Sequence, residues 1–235
     1  MSLAPEHAPG LVLQRFTPPL KLSAFKAIAF DMDSTLISIE CIDEIADAVG
    51  KKAEVAAITE AAMRGEITDF KDSLTRRVAL LKGVPAEALQ EVYDQRLKIN
   101  PGAPELINAA KAAGLQTLLV SGGFTFFADR VKARLGIHEA HSNLLEIEGG
   151  LLTGRVLGDI VDGEAKKQHL LALCARLQCD PKLSIAVGDG ANDLPMMGVS
   201  GLSVAYHAKP KVREQAMIAI NTGGLDRVLE VLTLA

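Results

Sequence analysis

The feature that most constrains this chain lies between residues 25 and 35, where a short apolar run, Phe25-Lys-Ala-Ile-Ala-Phe30, ends abruptly in Asp31-Met-Asp-Ser-Thr35. An apolar run of that length without polar alternation reads as a strand buried on both faces, as in a parallel sheet. Three further runs behave alike. Leu115 to Val120 stops at Ser121-Gly-Gly, Leu183 to Val187 stops at Gly188-Asp-Gly-Ala-Asn-Asp193, and Leu202 to Ala205 leads into a helical stretch. Helical patterns separate them at Ala103 to Ala113, Phe124 to Leu135, Glu164 to Leu177 and Leu225 to Leu234. This alternation predicts an α/β fold with a doubly wound parallel sheet.

In such sheets ligands bind beyond the carboxyl ends of the strands, which is where every one of these polar clusters falls. Between Ile37 and Asn100 the strand signal disappears. Ile42 to Val49, Lys51 to Arg64, Asp69 to Lys82 and Ala86 to Leu97 read as helices separated by Gly50, Gly65 and Gly83-Val-Pro85. The organisation expected is an N-terminal arm at 1–24, an α/β core at 25–37 and 100–235, and a small inserted helical cap domain at 38–99. The arm carries Pro5, Pro9, Pro18 and Pro19, which suit an extended path, and it is too short for a separate regulatory domain. Residues 143–162 alternate around Gly149-Gly150 and predict a hairpin near the same mouth.

Composition narrows the partner. Twenty-five basic and 29 acidic residues give a formal net charge of −4, which leaves no electrostatic footprint for nucleic acid or an anionic membrane. No apolar run approaches the ~18 residues of a membrane span, and no basic segment followed by an apolar stretch opens the chain. Three cysteines, Cys41, Cys174 and Cys179, form neither a disulfide framework nor a zinc spacing. A cytoplasmic protein with a small-molecule substrate is expected.

Two carboxylates at one strand end, Asp31 and Asp33, face one pocket only if the loop bends, and their repulsion then favours a bound cation. A second acidic loop, with Asp189 and Asp193, follows another strand. Oxygen ligands without His or Cys suit Mg²⁺, which commonly shares a phosphate oxygen with its substrate. Ser121-Gly122-Gly123 at a predicted helix N-terminus offers a hydroxyl and backbone N–H groups to an anion, and Lys166 offers a point charge.

Asp31-Met-Asp-Ser-Thr35, Ser121, Lys166 and Gly188-Asp-Gly-Ala-Asn-Asp193 resemble the four ordered motifs of haloacid-dehalogenase-type phosphohydrolases, with their Rossmann-like core. Within that superfamily, Glu40-Cys-Ile-Asp-Glu-Ile-Ala, Ala62-Met-Arg-Gly-Glu-Ile, Ser73-Leu-Thr-Arg-Arg-Val-Ala-Leu-Leu-Lys82 and Val120-Ser-Gly-Gly-Phe124 resemble the phosphoserine phosphatase family. The resemblance implies Asp31 as nucleophile and Asp33 as acid and base. It implies Ser121, Gly122, Lys166 and Asn192 around the phosphoryl group, with Asp31, Asp33, Asp189 and Asp193 about Mg²⁺. Glu40 and Arg77 would pair with the ammonium and carboxylate of phosphoserine, with Arg76 as the adjacent alternative, and Met63 and Phe70 would form an apolar wall. It further implies a monomer or homodimer acting in the closing step of serine biosynthesis.

Two other readings remain open. One is a phosphatase or phosphotransferase of the same fold acting on another small phosphomonoester. The other is a non-catalytic phospho-acceptor, against which the helical insertion and an acid two residues beyond Asp31 both argue.

Overall fold

The computed structural model describes residues 6–63 and 66–233, apart from the Met63 side chain. In chain order the elements are β1 (Glu6–Ala8), β2 (Leu11–Leu13), β3 (Leu20–Lys21), β4 (Ala27–Phe30), α1 (Cys41–Ala48), α2 (Lys52–Met63), α3 (Phe70–Ala79), α4 (Glu87–Gln95) and α5 (Ala103–Ala112). There follow β5 (Gln116–Phe124), α6 (Thr125–Leu135), β6 (Glu139–Glu148), β7 (Leu151–Leu157), α7 (Gly163–Arg176), β8 (Ser184–Gly188), α8 (Leu194–Val199), β9 (Leu202–Tyr206), α9 (Pro210–Gln215), β10 (Ile218–Ile220) and β11 (Leu232–Thr233). No helix among the described residues is long and apolar enough to cross a membrane.

Nine strands form one sheet in the order β1-β2-β10-β9-β8-β4-β5-β6-β7, parallel from β10 through β6. The chain leaves central β4 toward β5 and β6, then returns to build β8, β9 and β10 on the other side. The strand order therefore reverses at β4, and the crevice opens at its carboxyl end. The doubly wound parallel sheet expected from the apolar runs is present.

All four residues of β4 are fully buried, and its two faces differ. Ile28 and Phe30 share one core layer with Leu106, Ile107 and Ala110 of α5. Ala27 and Ala29 share the other with Leu170 and Leu173 of α7. Small side chains on the α7 side leave room for that helix to lie close to the strand, which matters for the lysine it carries.

Three expectations need correction. Strand β5 runs on to Phe124 instead of stopping at Val120, because Phe124 pairs with Asn143 of β6 after a register shift. Ser121-Gly122-Gly123 is thus a strand end rather than a helix N-terminus, and α6 starts only at Thr125. Residues 225–233 do not form an α-helix, and Leu234 lies outside the described residues. Leu225–Glu230 is a 3₁₀ turn, whose three-residue spacing buries Leu225, Val228 and Val231, and β11 then pairs parallel with β3.

From Glu6 onward the chain forms the antiparallel pair β1–β2, and β2 extends the sheet antiparallel to β10, while residues 1–5 lie outside the described residues. The hairpin expected around Gly149-Gly150 is β6–β7, whose turn uses left-handed backbone at both glycines (φ 56° and 80°). It also bonds to the α3–α4 connection: Gly83 donates to the Leu152 carbonyl, and Leu152 donates to that of Val84, each at 2.8 Å.

Candidate active site

Asp31 stands where β4 ends, its N–H still donating to Val187 of β8 at 2.9 Å. Its Oδ1 accepts from the Met32 N–H at 2.7 Å. The chain then bends sharply, with Ser34 in left-handed backbone at φ 55° and Ile37 donating back to the Met32 carbonyl. The Asn100 amide clamps this bend by donating to the carbonyls of Thr35 (2.8 Å) and Ile37 (3.0 Å). The bend brings Asp33 into the cavity that Asp31 lines. A Cβ on Gly123 would lie 2.9 Å from Asp33 Oδ2, so the β5 end approaches this closely only as glycine.

Lys166 projects from the first turn of α7, a helix whose start is fixed by Asp162 accepting from the Ala165 N–H at 2.8 Å. Its ammonium is fully buried, 2.7 Å from Asp31 Oδ1 and 2.7 Å from Asp193 Oδ1. The other oxygen of Asp193 accepts from the N–H groups of Asp189 (3.1 Å) and Gly190 (3.0 Å), which folds the second acidic loop over it. Thr35 reaches Asp189 Oδ1 at 3.4 Å.

The electrostatics follow from this crowding. Burial, with Asp193 and Asp189 adjacent, pushes Asp31 well above the usual carboxylate range despite the lysine. Burial and Asp193 push Asp189 up to about 7. Burial alone would lower Lys166, but the Asp193 and Asp31 carboxylates more than offset it and keep the ammonium charged. Asp31, Asp189 and Asp193 bring oxygens within 4.8 Å of one another. With all three carboxylates ionised, the cluster holds two negative charges more than its one ammonium, and a hard divalent cation such as Mg²⁺, which an all-oxygen donor set fits, would favour that state.

Asp33 differs in kind. Withdrawal from water, and then the nearby Glu40, push it up to about 8. A carboxyl that holds a proton near neutrality is suited to protonating a leaving oxygen. Cys41 donates its thiol to Asp33 Oδ1 at 3.1 Å, and burial and the same carboxylate raise the thiol well above its usual value, so it stays protonated.

These groups open into a cavity of about 790 Å³ between the sheet and α1–α3. Glu40, Phe70, Arg77, Ser121, Gly122 and Asn192 line it with Asp31, Asp33 and Asp189. Lys166 and Asp193 are fully buried and outside this lining, and Lys166 touches it at Asp31. Ser34 donates to Glu40 Oε1 at 2.6 Å. Arg77 is half-buried; burial pulls its guanidinium down and Asp43, Glu40 and Asp33 pull it back. Arg76 is exposed and paired with Asp72 at 2.8 Å, outside the lining. The Met63 side chain lies outside the described residues.

The sequence reading passed over four residues here. Asp43 lines the cavity one helical turn after Glu40, and its buried Oδ1 has no hydrogen-bond partner. The i, i+3 spacing from Glu40 could have signalled it. Lys209 lines the cavity and donates its N–H to the Asp189 carbonyl at 3.2 Å; its place after the β9 run was a usable signal. Ser34 sets the bend, and Asn143 lies behind the β5 end with no local signal at all.

The haloacid dehalogenase-like hydrolase family matches residues 28–198. The chain is similar to the phosphoserine phosphatase of Polaromonas sp. (strain JS666 / ATCC BAA-500), 66% identical over 231 residues, which span 97% of this chain and 98% of that one. It is also similar to solved structures described as a phospho-aspartyl intermediate analogue of phosphoserine phosphatase and as a substrate-bound phosphoserine phosphatase complex. Each has a TM-score of 0.83 and 38% identity, over 89% of this chain and 99% of the other. With the strand order, the two acidic loops and the buried lysine, these similarities place the chain among the haloacid dehalogenase-like hydrolases, and within them it belongs to the phosphoserine phosphatase family.

Proposed function

We propose that the protein hydrolyses O-phospho-L-serine to L-serine and phosphate, with Mg²⁺, through an aspartyl-phosphate intermediate. The observation that carries this reading is that Glu40 and Arg77 line the same cavity as Asp31 and Asp33. One pair suits the ammonium and carboxylate of an amino acid, and the other suits phosphoryl transfer.

A carboxylate oxygen of Asp31 attacks phosphorus and the bond to the seryl oxygen breaks. Asp33 gives its proton to that oxygen, so serine leaves neutral at its hydroxyl. Asp33, now ionised, takes a proton from water, and the water oxygen attacks phosphorus. The bond to Asp31 breaks, releasing phosphate and restoring both carboxyl groups. Lys166, Ser121, Gly122 and Asn192 hold phosphoryl oxygens throughout. Asp31, the Asp33 carbonyl and Asp189 would hold Mg²⁺, with Asp193 orienting the loop and the lysine. When bound, the ion supplies positive charge against the phosphoryl oxygens.

Residues 38–99 serve as a cap in which Phe70 excludes water, over a core of residues 25–37 and 100–235 with the arm at 1–24. The reaction closes serine biosynthesis in the cytoplasm, carried out by a monomer or homodimer.

The test is phosphate release from L-phosphoserine with Mg²⁺ and with chelator, beside other phosphomonoesters. Selective turnover that needs Mg²⁺, is lost in Asp31→Asn and loses selectivity in Glu40→Gln and Arg77→Ala is expected. Turnover of other phosphates but not phosphoserine would discard the substrate assignment and favour the same chemistry on another small phosphomonoester.

A further inference from the structure

We propose that Asn143 is a positioning residue that sets the spacing between the two halves of the phosphoryl-binding site. This rests on the reading of Ser121, Gly122 and Lys166 given above. Asn143 sits in β6, is 1% exposed and is not among the residues that line the active-site cavity. Its amide nitrogen donates to the Gly122 carbonyl at 2.7 Å, and its amide oxygen accepts from the Val161 N–H at 2.8 Å. A carbonyl can only accept and an N–H can only donate, so the orientation of the amide is fixed by its partners.

Those two contacts join the end of β5 to the segment that leads into α7, and the two also pack against each other through Val120, Val161 and Leu170. Gly122 follows Ser121 at the carboxyl end of β5. Val161 precedes Asp162, which caps α7 and accepts from the Lys166 N–H at 2.9 Å. One side chain thereby bridges, by hydrogen bonds at both ends, the Ser121-Gly122 backbone and the segment that caps the helix carrying Lys166. Its own carbonyl accepts from Thr125 Oγ1 at 3.1 Å, which ties the start of α6 to the same point.

The chemistry explains why the residue is asparagine. The site demands a donor at one end and an acceptor at the other, both buried. An apolar residue leaves Gly122 and Val161 unpaired, and an unpaired buried backbone group is costly. Aspartate keeps the acceptor toward Val161 but sets an oxygen against the Gly122 carbonyl. Serine is too short to reach both partners.

Asn143→Asp and Asn143→Ser test the assignment with Mg²⁺ present. The measurements are KM and kcat for L-phosphoserine, the dissociation constant of inorganic phosphate by calorimetry, and the melting temperature. A displacement near 1 Å in a binding loop costs on the order of 100-fold in rate. Asn143→Asp is expected to lower kcat/KM by about 10- to 100-fold and to weaken phosphate binding by at least about 5-fold. Selectivity for phosphoserine over other phosphomonoesters should not change, because Glu40 and Arg77 are untouched.

If the variants melt at a lower temperature but keep KM and phosphate affinity within twofold of wild type, Asn143 is only a packing residue and the proposal fails. Should Asn143→Asp not fold, Asn143→Ser, which leaves space for a water, gives the same reading. A wild type that binds phosphate without hydrolysing phosphoserine overturns the substrate assignment, while phosphate binding by the variants still decides the role of Asn143. A wild type that does not bind phosphate overturns both.

Discussion

Lys166 Nζ lies 2.7 Å from Asp31 Oδ1, at a place where the ammonium has no contact with water. The same nitrogen is 2.7 Å from Asp193, so one cation holds together the ends of β4 and β8 through side chains on opposite loops. The strand pairing that brings Asp31 beside Val187 sets this geometry, and the small face of β4 admits the helix that delivers the lysine.

Removing that cation leaves buried carboxylates facing each other. Lys166→Met is expected to destabilise the metal-free protein by about 3–5 kcal/mol, the usual cost of breaking a buried pair from one side. If Lys166 holds a phosphoryl oxygen as proposed, its loss should also lower kcat by roughly 100- to 1000-fold. Denaturant melts and steady-state kinetics check the two effects separately, and a variant with wild-type stability would show that the pair contributes little to the fold.

Gly188 ends β8 directly against the buried Asp193. A Cβ there would lie 2.3 Å from Asp193 Cγ, and that carboxylate is held by Lys166 and by two backbone N–H groups. Gly188→Ala is therefore expected to cost about 1–3 kcal/mol by overpacking. It should also lower kcat by on the order of 100-fold as Asp193 and Lys166 move. An alanine variant with wild-type turnover would mean that the loop adjusts without disturbing the lysine.

The start of α7 carries a pH dependence of its own. Burial raises Asp162, but the Ala165 N–H and the Lys71 ammonium, 3.3 Å away, more than offset it and hold the carboxyl below its usual range. A depressed carboxylate stabilises the fold above its unfolded value, about 3.9, and loses that contribution as pH falls through the lower folded value. Asp162→Ala should thus cost about 0.5–2 kcal/mol at pH 7, as for other helix caps. The gap to wild type should narrow in melts run below about pH 3.9. A gap unchanged in acid would assign the loss to packing instead of charge.

Much of this was legible in the order of residues along the chain. Asp31, Asp33, Asp189 and Asp193 stand at strand ends because apolar runs with no polar alternation belong in a buried parallel sheet and must stop at the crevice. The hairpin at Gly149-Gly150 was equally plain, since adjacent glycines supply the left-handed backbone of a two-residue turn. The β5 end was misread because a serine and two glycines resemble a helix start. The strand persists there because β6 offers Asn143 as a pairing partner, and pairing across strands leaves no mark in the local pattern.

The sequence by itself determined the alternation of strands and helices and the residues that stand at the sheet's carboxyl edge, because burial on two faces and the conformational freedom of glycine are local demands. Tertiary structure decided which of those residues meet. Asn143 reaches Gly122 and Val161, Lys209 faces the cavity, and Asp43 is left beside Arg77 only after the crossovers have laid β6, β9 and α1 around β4. Contacts between segments so far apart in the chain depend on the packing of whole elements, which no window of neighbouring residues contains.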